Sequence, residues 1–434
     1  MTTRPDVDGT IDLEACIERA LRDLDEHADA LRSFASRLIR TASPNPPTDT
    51  RAVARLVSAE LRSLGIEDVR LVGPDPLNTN LLADAGDSDG SRVLILSGHL
   101  DTKPSGELEA WREGPWEGVR GGGRLHGLGA ADMKGAIAAM VYAAAAFRRS
   151  KAPGVVRLVL TADEETGGDA GADWLAGQGL VTGDAAIVGE PSGVSADWDQ
   201  VRIVSRGVCL VRFHVDGDQV HSSLSDQMEV VNASVTMARL MDRLDRVGVD
   251  VLTYRPHPLG DAHPTMNVGL EVNAGIGAGF LAHKASFLCD IRMLPGMERA
   301  VVEADLQRFL DDAMTTDGAL RARLEIELWR DGSEVVPSTP VVPAIERACE
   351  RILGRTPPLG VFPGGTDAPF FQALGIDTVP AFGPGLLSLA HQPNEWVSER
   401  SIEEAARLYV TTAVEMTMEQ PAPNGSVAAP GSDR

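Results

Sequence analysis

Three short apolar runs set the architecture. Residues 93–97 run into Gly98-His99, residues 155–160 into Asp163-Glu164-Glu165, and residues 185–188 into Gly189-Glu190. Such runs, separated by helical stretches at 132–149 and 170–178, read as strands of a largely parallel sheet buried on both faces. Each run delivers a histidine or a carboxylate at its C-terminal end, where open α/β sheets form their ligand crevice.

The pattern on either side completes an α/β reading. Apolar residues at helical spacing over 11–39 are closed by Ser43-Pro44-Asn45-Pro46-Pro47, and a second helix is expected over 50–64. From about 201 the periodicity changes. An alternating strand is expected over 201–216, a helix over 226–247, strands over 265–272 and 284–292, a helix over 299–314 and a strand over 321–329. That βαββαβ order suits a ferredoxin-like α+β unit: four antiparallel strands with two helices on one face. A helix over 340–353, a strand over 378–382 and a helix over 401–418 then resume the first pattern. A chain of 434 residues has room for two domains. The expectation is a catalytic, mostly parallel-sheet domain formed by 1–199 and 333–434, interrupted by a smaller domain at 200–332. Residues 1–10 and 420–434 are rich in Pro, Gly, Ser and charge and are expected to be disordered.

Composition narrows the partners. Forty Lys and Arg against 63 Asp and Glu leave a net charge of −23, which repels phosphate backbones and anionic lipid. No nucleic-acid or membrane partner is expected. The longest apolar run, 136–147, is too short for a bilayer of ~30 Å, and residues 1–14 lack a signal pattern. The cysteines, Cys16, Cys209, Cys289 and Cys349, stand far apart, as buried thiols of a reducing cytoplasm would.

The polar residues at the strand ends are the candidates for chemistry, each weighed against a plainer role. His99, alone, is more often structural. Asp101, two residues on, is placed to bond the far ring nitrogen and fix the tautomer. Asp132, at the start of a helix, reads first as an N-cap. The adjacent Glu164 and Glu165 repel each other; a solvated loop explains them about as well as a cation for one and a proton for the other. Glu190 and His391 are weak singly. Together, two histidines and three carboxylates without a thiolate suit two clustered divalent ions, Zn²⁺ first and Co²⁺ or Mn²⁺ otherwise. The spare glutamate would be a general base.

These segments resemble the dinuclear-zinc amidohydrolases and exopeptidases that include acetylornithine deacetylase, succinyl-diaminopimelate desuccinylase, aminoacylase and bacterial glutamate carboxypeptidase. The resemblance lies in Ser97-Gly-His-Leu-Asp-Thr102, Gly127-Leu-Gly-Ala-Ala-Asp-Met-Lys-Gly135, Thr161-Ala-Asp-Glu-Glu-Thr166 and Gly189-Glu-Pro-Ser192. It continues in His221-Ser-Ser223, Cys289-Asp-Ile-Arg-Met-Leu-Pro295, Gly364-Gly-Thr-Asp367 and the stretch from Gly383 to Glu395, all in family order over about 30–418. Leu128 stands where many relatives have arginine, and the extension before Ala28 has no readable counterpart.

The resemblance implies His99 and Glu190 on one metal, Glu165 and His391 on the other, and Asp132 bridging. It implies Glu164 as the general base and Asp101 as the residue orienting His99. It makes 200–332 a lid and dimerisation domain, with His221 reaching a neighbouring subunit's site to hold the substrate carbonyl, and Asn267 and Arg292 binding the substrate carboxylate. The expected enzyme is a cytoplasmic, homodimeric, metal-dependent hydrolase of a linear amide beside a free carboxylate. An N-acyl-amino-acid deacylase comes first and a dipeptidase or carboxypeptidase second, so the partner is a small N-acyl amino acid or short peptide. A non-catalytic ligand-binding relative is the remote alternative; retention of Glu164 and of every ligand argues against it.

Overall fold

A computed structural model describes residues 12–87 and 92–418; the termini expected to be disordered lie outside them. The three apolar runs form adjacent strands. A six-stranded sheet has the order Val69–Val72, Asn80–Asp87, Gly154–Thr161, Val93–His99, Ala185–Val188, Asp377–Val379. The last four are mutually parallel, and Asn80–Asp87 runs antiparallel to both of its neighbours.

Alternate residues of these strands feed two different cores. Leu94, Leu96, Val156, Leu158, Leu160 and Ile187 face a large core, whereas Ile95, Val159, Ala186 and Val188 face a smaller one. A sheet covered on both faces has no solvent side, which is why its strands read as unbroken apolar runs. Helices Ala172–Gly177 and Ala368–Gln372 supply the smaller core. In the larger one the alanine-rich helix Gly135–Ser150 packs against Leu13–Glu26, Ala28–Arg40 and Glu399–Met418. Apolar all round, it is a core helix. By length and composition the helical run Ala130–Ser150 could cross a membrane, but every residue of its most apolar window is buried inside the protein.

The second unit is a four-stranded antiparallel sheet ordered Thr265–Ala274, Lys284–Met293, Gly207–Asp216, Arg321–Arg330. Helices Ala233–Val247 and Arg299–Thr316 cover one face, over a core in which Phe213 and Phe287 stack at 4.9 Å. Cys209 and Cys289 lie in this core, and all four cysteines are free and buried.

Three details depart from the sequence reading. Helix 11–39 is two helices, broken at His27 (φ −107°, ψ 8°), with no glycine or proline to mark the place. The helix expected from 226 begins at Ala233, where the Asn232 side chain caps the Ser234 amide at 3.1 Å. Strand 201–216 divides at Arg206. Val201–Ser205 is buried throughout and joins Leu359–Phe362 and Ser333–Glu334 against the larger core; alternation starts only at Gly207. Arg202 survives burial there because its guanidinium donates to the Ser192 and Val361 carbonyls.

A carboxylate-bridged pair of histidines at the sheet's C-terminal edge

The parallel strands bring their polar ends together. His99 is the last residue of its strand, Glu164 and Glu165 form a 3₁₀ turn three residues after theirs, and Glu190 lies two residues beyond Val188. Asp132 comes from an irregular segment before helix Gly135–Ser150, with Asp132 itself outside helical geometry (φ −124°, ψ 88°). It is not the cap of that helix. Gly129 makes the approach possible: its φ is +78°, and a Cβ there would lie 2.5 Å from the Thr102 methyl. Gly383 does the same for the last loop, where a Cβ would lie 1.9 Å from the Gly189 carbonyl. That close packing sets the loop carrying His391 beside the one carrying Glu190.

Asp132 is the centre of the arrangement. His99 Nε2 lies 2.9 Å from its Oδ1, and His391 Nε2 lies 3.1 Å from its Oδ2. On the far sides, His99 Nε2 is 3.6 Å from Glu190 Oε1, and His391 Nε2 is 3.1 Å from Glu165 Oε1. Two trios that could each hold a metal ion result, His99–Asp132–Glu190 and Asp132–Glu165–His391, each with its donor atoms within 4.8 Å of one another.

The electrostatics call for cations. Burial raises Glu164 and Glu190 well above the ordinary carboxylate range; His99 opposes the rise in both, and Asp132 adds to it. Asp367, nearby, is pushed up to about 7, chiefly by burial, although Thr161 donates to it at 2.8 Å. Burial alone would lower both histidines. Their hydrogen bonds to carboxylates win, holding His99 well above its usual value and His391 at about 10. Those same bonds hold Asp132 low against its burial. The donor set of two imidazoles and three carboxylates, crowded with further acids and free of thiols, fits two divalent ions of the Zn²⁺ type.

Supporting groups lie beneath. His99 Nδ1 meets the Asp101 main-chain carbonyl at 3.0 Å and the Asp101 carboxylate only at 3.5 Å. That carboxylate instead accepts from Asn45 Nδ2 at 2.9 Å and from the Glu165 amide at 3.3 Å, tying the two strand ends together. Glu395, buried, accepts the Gly129, Ala131 and Asp132 amides. Lys134, buried and pushed down to about 7 by desolvation, donates to the Thr41 carbonyl. Sequence reasoning gave Glu395, Lys134, Asp367 and Lys103 no role. Lys134, Asp367 and Glu395 lie inside the segments that carry the resemblance, and Lys103 directly follows one; that placement is the signal that could have found them.

A cleft of about 860 Å³ opens over the centre, between it and the inserted sheet. Glu164, Glu165, Asp132, Glu190 and His391 line one wall, and Val208, Leu210, Leu328 and Arg292 line the other. Arg292 is anchored by Asp290 at 2.7 Å. His221 and Asn267 do not line this cleft. His221 is exposed in a turn, its Nδ1 2.9 Å from the Ser223 hydroxyl, and Asn267 is exposed on the strand at the sheet's edge.

Comparison with known proteins agrees with this geometry. The family model of Peptidase family M20/M25/M40 matches residues 95–415. A succinyl-diaminopimelate desuccinylase of Methylobacterium sp. (strain 4-46) is 31% identical over 337 residues, covering 76% of this chain and 81% of that protein. An acetylornithine deacetylase of Myxococcus xanthus is 31% identical over 386 residues, covering 85% and 92%. Among solved structures, the di-peptidase Dug1p from Saccharomyces cerevisiae superposes with a TM-score of 0.79 at 16% identity, over 94% of this chain and 100% of that one. The M20 family metallo-carboxypeptidase Sso-CP2 from Sulfolobus solfataricus gives 0.73 at 18%, over 88% and 98%.

Proposed function

The chain belongs to Peptidase family M20/M25/M40, and on that premise we propose that it is an N-acyl-amino-acid deacylase, hydrolysing a linear amide beside a free carboxylate. The observation that carries this reading is the shared carboxylate: one oxygen of Asp132 faces His99 and the other faces His391. We assign His99, Asp132 and Glu190 to one ion, Asp132, Glu165 and His391 to the other, and Zn²⁺ as the native metal. When bound, the pair supplies Lewis acidity that polarises the scissile carbonyl and makes water acidic enough to attack at neutral pH.

The remaining work falls to the protein. Glu164 lines the cleft beside the proposed ligand Glu165 and belongs to neither trio. It takes a proton from the attacking water as the new C–O bond forms, then gives it to the departing amine as the C–N bond breaks. Its half-buried, desolvated setting makes it a stronger base, once ionised, than a solvated glutamate. Arg292 offers a fork of donors to the substrate carboxylate across the cleft. Asn267 and His221 join it when residues 200–332, acting as a lid, close or meet a second subunit; His221 then holds the carbonyl oxygen as charge develops on it.

A homodimer is supported by the free edge of strand Thr265–Ala274, where Leu270 and Val272 stand about half exposed. A cytoplasmic location is supported by the four unpaired thiols. The substrate class follows the curated relatives, one named for acetylornithine and one for succinyl-diaminopimelate. The test is a panel of N-acetyl, N-succinyl and N-carbamoyl amino acids and dipeptides, assayed with metal-free protein and after adding back Zn²⁺, Co²⁺ or Mn²⁺. Metal-restored turnover of an acyl amino acid is expected. Turnover of dipeptides alone would replace the deacylase reading with a dipeptidase.

A further inference from the structure

Lys103 is one of only four lysines in the chain, and it stands in the cleft wall two residues after Asp101. It meets Glu165 in three ways. Its backbone amide donates to Glu165 Oε1 at 3.1 Å, the oxygen that also faces His391. Its ammonium lies 3.2 Å from Glu165 Oε2 and donates to the Glu165 main-chain carbonyl. The other trio has no such neighbour: the Glu190 carboxylate is buried and, among the described residues, no cation other than His99 lies within ion-pair distance.

Resting on the metal-dependent reading above, we propose that Lys103 is a positioning residue that reserves Glu165 Oε2 and so weakens the ion held by Asp132, Glu165 and His391. The two parts of the residue do separable work. Orientation of Oε1 belongs to the backbone amide, which any side chain at 103 retains. What the side chain adds is a positive charge beside a cation site and a competitor for the second oxygen. Both reduce affinity. Replacing it should therefore tighten the second ion, although loss of an outer partner usually loosens a metal.

The experiment is a titration of metal-free protein with Zn²⁺ against a chromophoric chelator, for the wild type and for Lys103→Met, Lys103→Gln and Lys103→Arg. The wild type and Lys103→Arg should show one tight and one weaker ion. Lys103→Met and Lys103→Gln should tighten the weaker ion by about 10-fold, the low end of outer-sphere effects because the ammonium is partly solvated, and leave the tighter ion unchanged. An unchanged or weakened second ion in Lys103→Met, with two ions still bound, would overturn the role of Lys103 and leave the family reading intact. A wild-type protein that takes up no ion would overturn both.

Discussion

The carboxylate of Glu395 lies directly under the backbone of Asp132 and accepts its amide at 3.2 Å. The same oxygen takes the Ala131 amide at 2.7 Å, and its twin takes that of Gly129 at 3.0 Å. One buried acid thus holds the backbone that approaches the proposed bridging ligand. Burial and the charge of Asp132 push Glu395 up to about 8 in spite of these three donors.

Glu395→Ala should orphan the three amides, at about 1–3 kcal/mol for each that finds no water. Metal affinity should fall by roughly 10–100-fold, as for other outer-sphere partners. Elemental analysis after dialysis and a thermal melt would show it. Full metal content at an unchanged Tm would remove Glu395 from this role.

Glu164→Gln should keep both ions and lose kcat by about 10²–10⁴, the range for removal of a general base. Retention of most of kcat would reassign the base, with Asp367 next in line because it shares the cleft and is held at about 7.

The ligand variants should separate by stoichiometry. His99→Ala and His391→Ala each remove one trio's imidazole and should bring bound metal from near two ions to near one. Asp132→Ala serves both trios and should abolish both ions. Equal losses from all three variants would mean a single site.

The pH dependence of the metal-free protein follows from the direction of the shifts. Asp367, Glu395 and His391 all have folded values above their ordinary ones: about 7 against 3.8, about 8 against 4.5, and about 10 against 6.5. Each contributes stability that is complete below its ordinary value and is lost as pH rises through its folded value. Tm of the metal-free protein should therefore fall from about pH 5 to pH 8 and level off above it, where Lys134, held down at about 7 against 10.5, contributes stability that grows as pH rises. Zn²⁺ binding at pH 7 should release protons, His391 supplying one, and strengthen with pH. Calorimetry in buffers of different ionisation enthalpy measures that release. A flat Tm profile without proton release would show that these groups do not titrate as described.

His221→Ala should lower kcat by roughly 10²–10³, the cost of an oxyanion donor, while metal content stays intact. Mixed with Glu164→Ala under conditions of confirmed subunit exchange, it should recover activity, because one site in the mixed dimer regains both groups. No recovery would place the action of His221 within its own chain or nowhere.

What the sequence displayed was whatever is local. An apolar run and the polar residue that ends it are neighbours in the chain, so the strands at 93, 155 and 185 and the terminal His99, Glu165 and Glu190 were readable directly. The ferredoxin-like order was readable because strands such as Gly207–Asp216 and Arg321–Arg330 alternate against one covered face. Arg206 hid the end of one strand and the start of another, since a buried strand and an alternating strand abut there without a turn residue. Asp132 read as a cap because its partners lie 33 and 259 positions away, and nothing local announces them. The choice among its roles came from resemblance, and its proximity to both histidines exists only in the folded chain. Lys103 and Glu395 act through contacts 62 and 263 residues distant. No periodicity records such pairings.

The C-terminal helix Glu399–Met418 packs on the central helix Gly135–Ser150 and on Leu13–Glu26, the first described helix. This closure imposes an order on biosynthesis. Four of the five proposed ligands emerge from the ribosome before the inserted sheet, but the fifth, His391, and the acid that seats Asp132 emerge after it. The larger core cannot condense as a finished unit during translation, as a contiguous N-terminal domain can. Its strands lack part of their cover until the last described helix has been made. The proposed ligand set is likewise complete only once His391 has been made.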